Sequence, residues 1–220
     1  MKKITNIIIH CSDSDFGSAS LIRQWHQQNG WKEIGYHIVI TNGLIVPNAG
    51  TWQKELYVPF MDGMVEIGRY LDGDDFISTN EIGAHALGYN ETSAGFCLIG
   101  KKTFTPRQFV SLTNLLNFFL PLWNLPIGAV LGHYEVSSGR SCPNFDMRRF
   151  RLEYEAKMCF AFDGNVYVPK EFDQSQPIAN GHENLYTKDQ IQKRINFLLK
   201  NGGWNQEVTR LTAYRDGSKK

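Results

Sequence analysis

No stretch of the 220 residues approaches the roughly 20 consecutive apolar positions that cross a bilayer. That absence predicts a chain without a membrane span. Net charge is almost missing too. With 23 Lys+Arg against 22 Asp+Glu, a formal +1 leaves no electrostatic footprint for nucleic acid, so an anionic partner has to be recognised locally. Cysteine is scarce: Cys11, Cys97, Cys142 and Cys159 are too few and too scattered for a disulfide scaffold. Cys97, in the apolar run Gly95 to Gly100, reads as a buried small hydrophobe. The N-terminus carries the lysines of a signal peptide but only Ile7-Ile8-Ile9 ahead of His10, with no small-residue cleavage site after it. The expectation is a protein cytoplasmic as synthesised, reaching any outside target by a separate release or export route. Internal repeats and low-complexity tracts are absent. So are the paired CxxC or HxxxH spacings of a four-ligand structural metal site.

What is present is ordinary globular material, 42% hydrophobic and 20% charged, long enough for one domain and a small appendage. Ile4 to His10 reads as a buried strand. Ser18-Ala19-Ser20 offers caps for a helix with the face Leu21, Ile22 and Trp25, stopped at Asn29-Gly30. Tyr36 to Ile40 is a second strand. From Thr41 to Asn80 prolines and glycines break the periodicity. Gly95 to Gly100, apolar on both faces, is predicted to lie centrally in a sheet. Thr105-Pro106-Arg107-Gln108 is a strong helix start, followed by Phe109, Leu112, Leu116 and Phe119 at helical spacing and closed by Pro121. Ala129 to Gly132 forms a fourth strand, and Asp146 caps a helix bearing Phe150 and Tyr154. Strands alternating with helices predict an α/β domain with a central mixed β-sheet flanked by helices.

Three residues near strand ends carry metal chemistry: His10, His133 and Cys142. Two nitrogens and a sulfur suit zinc better than magnesium or calcium, which prefer oxygen. Three protein ligands on a tetrahedral ion leave one position for water, the arrangement of a catalytic site. Cys11 is set aside as a ligand, because neighbours on a strand face opposite sides. On residue types alone, three unrelated polar side chains remain an alternative.

The segments Ile9-His10-Cys11-Ser12, Ile22-Arg23-Gln24-Trp25-His26, Gly30-Trp31 and Ile34-Gly35-Tyr36-His37 occur in that order. They are joined by Gly83-Ala84-His85-Ala86-Leu87-Gly88-Tyr89-Asn90, Gly95 to Gly100, Phe104 to Gln108 and His133 to Asp146. Together they resemble the zinc-dependent N-acetylmuramoyl-L-alanine amidases of the phage-lysozyme type, which share a fold with the peptidoglycan recognition proteins. The likeness spans roughly residues 4 to 155. It implies a zinc ion on His10, His133 and Cys142, an active-site tyrosine at Tyr36, and His85, Asn90 and, next to the tyrosine, His37 along the substrate groove, each with a satisfied structural polar residue as the alternative. The implied substrate is peptidoglycan or its muropeptides, cut by a monomer at the amide between N-acetylmuramic acid and L-alanine. Arg140 stands where phage members carry lysine. Arginine stays protonated, so proton shuttling passes out of reach while oxyanion stabilisation does not. His26 is expected in packing or at the surface, and His182 falls outside the resemblance.

A second departure is an apparent insertion at Thr41 to Met61, ahead of the hairpin strand Asp62 to Arg69. Its Trp52, Tyr57 and Phe60 suit either a substrate wall or a loop covering the sheet. The domain boundary is placed at 158. Beyond it, residues 159–220 read as a hairpin turning on Asp163-Gly164, a polar connector, and a helix with the face Ile191, Ile195, Leu198 and Leu199 that docks back on the domain. Rival functions are a non-catalytic peptidoglycan-binding module, a cysteine hydrolase pairing Cys142 with His133, and an RNA polymerase partner. The complete ligand set argues against the first. The second predicts activity without metal. Nothing outside the amidase motifs supports the third.

Overall fold

The computed structural model describes residues 1–44 and 57–155. Its centre is a five-stranded sheet of order β4-β3-β6-β2-β7, with β2 Asn6–Cys11, β3 Ile38–Leu44, β4 Tyr57–Ile67, β6 Ser93–Leu98 and β7 Val130–Gly132. β2 runs parallel to both β6 and β7, and β3 runs parallel to β6 and antiparallel to β4, so the sheet is mixed as expected. A small second sheet pairs β1 (Lys2–Lys3) with β5 (Phe76–Ile77). β6 occupies the middle, which explains the unbroken apolar run of its sequence: every residue of the strand is buried.

The two faces divide the work. Ile7, Ile9, Phe96, Leu98, Ile38 and Ile40 pack under α2 (Pro106–Leu122) and α4 (Met147–Glu155), forming the larger core with Leu112, Leu116 and Phe150. On the other face Val39, Cys97 and Ile99 meet Ala19 and Ile22 of α1 (Ala19–Gln28). Cys97 is fully enclosed there, as its sequence context predicts.

Helix ends follow the caps. The Ser18 hydroxyl accepts from the Leu21 N–H at 3.2 Å, and the buried Glu66 carboxylate accepts from the Ala19 N–H at 2.5 Å. At α2 the Thr105 hydroxyl accepts from Gln108 N–H at 3.2 Å while Gln108 Oε1 accepts from Thr105 N–H at 2.9 Å, a complete capping box. Pro121 lies in the last turn of α2 rather than beyond it. Asp146 accepts from the Arg148 and Arg149 N–H groups at the start of α4, the cap foreseen for it.

Residues 41–61 are not wholly an insertion loop. Thr41 to Leu44 extend β3 and Tyr57 to Met61 begin β4, so the described part is a longer hairpin at one edge of the sheet. β4 escaped the periodicity analysis because Pro59 and Gly63 interrupt it and register shifts at Ile40/Asn42 and Asn42/Leu44 break its alternation. Trp52 and the whole segment from 156 onward, including the expected hairpin and docking helix, lie outside the described residues. Among the described residues no helix is long and apolar enough to cross a membrane.

The hairpin is tied to α2 through Asp62. Its carboxylate accepts from the Thr105 hydroxyl and, at 2.9 Å, from the Tyr57 hydroxyl. Burial pushes its pKa up to about 6, the two hydroxyl donors offsetting only part of that cost. The folded state therefore holds this proton more tightly than the unfolded chain. Its contribution is best below the unfolded value and worsens as pH rises through about 6. Asp62→Asn is expected to stabilise the domain by about 1–3 kcal/mol at pH 8 and to change little at pH 4. Urea midpoints at the two pH values check this; equal shifts at both would refute it.

Candidate metal centre and active site

Parallel pairing sets the first two candidate ligands side by side. The β2–β7 register aligns Ile9 with Gly132, so His10 and His133 are the next pair along, and their ring centroids lie 4.6 Å apart. His133 opens α3 (His133–Val136), a short helix braced from both ends. The Glu135 carboxylate accepts from the Gly132 N–H at 2.8 Å and holds Arg151 of α4 in a two-pronged pair at 2.8 Å on each arm. The Tyr134 N–H donates to the Cys142 carbonyl at 2.9 Å, which fixes the third ligand's loop against this helix. A side chain at Gly132 would meet Met147 at 2.8 Å and Tyr134 at 2.9 Å, so the close approach requires glycine.

The ligand atoms of His10, His133 and Cys142 all lie within 4.8 Å of one another. Cys142 Sγ is 3.8 Å from His10 Nδ1. Zinc bonds of about 2.1 Å to nitrogen and 2.3 Å to sulfur at a tetrahedral angle put such a pair about 3.6 Å apart. The donor set therefore fits zinc in chemistry and in span.

Electrostatics favour a cation here. Burial, then His85 and His133, hold His10 well below the usual imidazole range, and burial followed by Arg140 lowers His133. Both rings are thus neutral and carry a free lone pair at neutral pH. The Cys11 thiol beside it and burial push the Cys142 thiol above its ordinary value. A thiol so raised is a poor nucleophile, and a bound cation is what would convert it to thiolate. Cys11 itself is not in the ligand set, as strand alternation predicts. Alternation did not foresee that its backbone N–H donates to Cys142 Sγ at 3.1 Å, which makes it a support for the ligand.

Tyr36 stands against His10 with ring centroids 5.0 Å apart. Burial, then the neighbouring thiols, raises its pKa well above the usual phenol, so it remains a hydrogen-bond donor at any working pH. Arg140 is exposed at the rim, close enough for its charge to act on both Tyr36 and His133. A row of rings leads outward from the centre: Tyr36 to His26 at 5.5 Å, then His26 to Trp31 at 4.4 Å. His26 packs as expected, accepting from the Gly35 N–H at 3.0 Å, and Trp31 is 43% exposed. Sequence reasoning gave Trp31 no role. Its signal was an aromatic directly after the Asn29-Gly30 helix stop.

The three groove candidates take the structural alternative. His37 is 0% exposed. Its Nδ1 accepts from the Gly95 N–H at 2.9 Å and its Nε2 meets the Glu81 carbonyl at 2.7 Å, so the ring presents nothing to a substrate. His85 is 7% exposed, with Nδ1 3.1 Å from His10 Nε2. It stands behind a ligand, not along the groove. Asn90 is half-buried, and its carboxamide oxygen accepts from the His85 and Ala86 N–H groups at 2.9 and 2.8 Å. That oxygen holds the loop instead of facing outward. Burial of two imidazoles depends on partners distant in sequence, which is why the linear pattern left both readings open.

Comparison with known proteins agrees with this geometry. The family model for N-acetylmuramoyl-L-alanine amidases matches residues 1–145. The endolysin of Escherichia phage T7 is 35% identical over 156 residues, covering 66% of this chain and 83% of its own. The endolysin of Klebsiella phage KP32 is 33% identical over 162 residues, covering 68% and 86% respectively. Among solved structures, the amidase LysC from Clostridium intestinale shares the fold, with a TM-score of 0.52 at 23% identity over 70% of this chain and 87% of that one. A match over residues 1–145, a range that contains His10, His133 and Cys142, means that the chain belongs to the N-acetylmuramoyl-L-alanine amidase family.

Proposed function

We propose that the chain is a zinc-dependent cell-wall lytic amidase in which His10, His133 and Cys142 hold the metal, Tyr36 donates to the developing oxyanion, and Arg140 adds positive charge at the rim. The bond cut is the amide between the lactyl group of N-acetylmuramic acid and the L-alanine that begins the stem peptide. The observation that carries the reading is the convergence of two neutral imidazoles and a thiol within 4.8 Å, with a protonated phenol beside them. When bound, zinc supplies Lewis acidity toward the scissile carbonyl and toward water.

The remaining work belongs to the chain. Tyr36 keeps its proton and offers it as a hydrogen bond where charge develops on the carbonyl oxygen. Arg140 stabilises the same charge through space and does not exchange protons. Trp31 and His26 provide an apolar wall along which a sugar face or stem peptide lies as the bond approaches Tyr36. On this reading a monomer acts on peptidoglycan or its muropeptides.

The test is product analysis. Muropeptides treated with the zinc-loaded protein are expected to give free stem peptide with L-alanine at its amino terminus and a glycan that keeps its lactyl group. New reducing sugar ends, or stem peptides cut internally, would overturn the assignment. Binding of sacculi with no product at all would favour a recognition module.

A further inference from the structure

We infer that His85 is a positioning residue that dictates which nitrogen of His10 is presented to the metal, through a relay that begins at a backbone carbonyl of the sheet. The inference rests on the zinc-site reading above and goes beyond it, since His85 touches neither metal nor substrate. Three contacts define the relay. His85 Nε2 faces the Ser93 carbonyl oxygen at 3.4 Å, and His85 Nδ1 faces His10 Nε2 at 3.1 Å. On the far side of the His10 ring, Nδ1 faces Cys142 Sγ at 3.8 Å.

A carbonyl oxygen only accepts hydrogen bonds, so the neutral His85 ring must carry its proton on Nε2. Its Nδ1 then bears the lone pair, and the donor opposite has to be the Nε2–H of His10. With that proton fixed, the free lone pair of His10 is on Nδ1, on the Cys142 side where the other ligands converge. The opposite choice would place the His85 Nε2 lone pair against the carbonyl lone pairs, a buried repulsion with no water to relieve it. Partners of this kind orient ligating imidazoles and raise their basicity.

The chain builds a dedicated seat for this ring. A Cβ on Gly95 would lie 2.6 Å from His85 Cγ, and one on Gly83 would lie 2.6 Å from His85 Cδ2. Neither glycine has a positive φ, so it is space for the imidazole that both positions require. The Asn90 oxygen clamps the His85 N–H from behind at 2.9 Å. The carbonyl at the origin belongs to Ser93, the first residue of the central strand, and a rigid sheet fixes its direction.

Two measurements on the full chain test the relay without recourse to activity. The first is zinc affinity by competition with a chromophoric chelator. His85→Leu fills the volume without an acceptor and is expected to weaken zinc about 10–100-fold. His85→Asn, whose carboxamide oxygen can stand in for Nδ1, is expected to stay within about threefold of the parent, on the same scale of ligand-support effects. The second is a long-range ¹⁵N–¹H spectrum of the zinc-loaded parent protein, expected to show the His10 proton on Nε2. Unchanged affinity in a folded His85→Leu, or His10 bound through Nε2, overturns the relay while leaving the metal site intact. If the parent chain takes up no zinc, the metal reading fails and the relay with it. Should His85→Leu fail to fold, the spectrum of the parent still decides.

Discussion

Replacing Cys142 with serine is expected to lower hydrolysis of muropeptides by at least about 10³-fold, because the several kcal/mol that a metal contributes to such a transition state is lost with its third ligand. Serine can still accept the Cys11 N–H that now reaches Cys142 Sγ at 3.1 Å, so the loop should keep its place and the loss should be chemical rather than conformational. The same loss should follow chelation of the parent protein and be reversed by added zinc. This pair of experiments separates two readings of the same cysteine. A cysteine nucleophile would tolerate the chelator and fail only on substitution. The Cys11 thiol and burial raise the Cys142 thiol above its ordinary value, which disfavours a free thiolate in the metal-free protein. Activity that survives exhaustive chelation would end the metal reading.

The metal-free protein is expected to lose about 3 kcal/mol of stability between pH 6.5 and pH 4 through His37 alone. Burial lowers the pKa of this ring from 6.5 to about 4, an effect that its bond to the Glu81 carbonyl only partly offsets. The sign follows from proton counting. Below pH 6.5 the unfolded chain takes a proton at this histidine and the folded chain does not, so stability is full above 6.5 and falls progressively down to about 4. Asp62 works in the opposite direction across much of the same range, since its folded pKa is raised to about 6. The measurement is therefore best made in an Asp62→Asn background, by urea denaturation with chelator present. His37→Gln in that background should start less stable at pH 7, having lost its acceptor for the Gly95 N–H, but decline less steeply by about 3 kcal/mol over the window. Parallel declines for the two proteins would show that His37 is not the group responsible. Loss of zinc on acidification is a separate process, which the chelator removes from the comparison.

Much of the fold is written in local chemistry. β6 was legible because a central strand is apolar on both faces, and α2 because Thr105 and Gln108 form their capping box from adjacent positions. Both depend on residues within a few positions of one another. β4 was not legible from periodicity, because an edge strand with shifts of register loses the alternation that identifies it. The trio that converges, His10, His133 and Cys142, was legible through strand ends and through resemblance, whereas the roles of His37 and His85 were not. A buried imidazole is indistinguishable in sequence from one lining a groove. What separates them is whether glycines such as Gly83 and Gly95 leave room for the ring, and whether carbonyls such as those of Glu81 and Ser93 stand ready to receive its proton. Such partners come from other elements, and only the fold assembles them.

The order of strands separates precision from variation. His10 lies on β2 and His133 follows directly on β7, the strand paired with it, so their separation is set at its root by an interstrand spacing that the hydrogen-bond ladder holds at about 4.8 Å. The lengthened β3–β4 hairpin grows from the opposite edge, with β6 and β2 between it and β7. Changes to the described arms of that hairpin therefore leave undisturbed the ladder that spaces the candidate ligands. Substitutions at Tyr57 or Phe60, in the described arm of that hairpin, should accordingly leave zinc uptake unchanged.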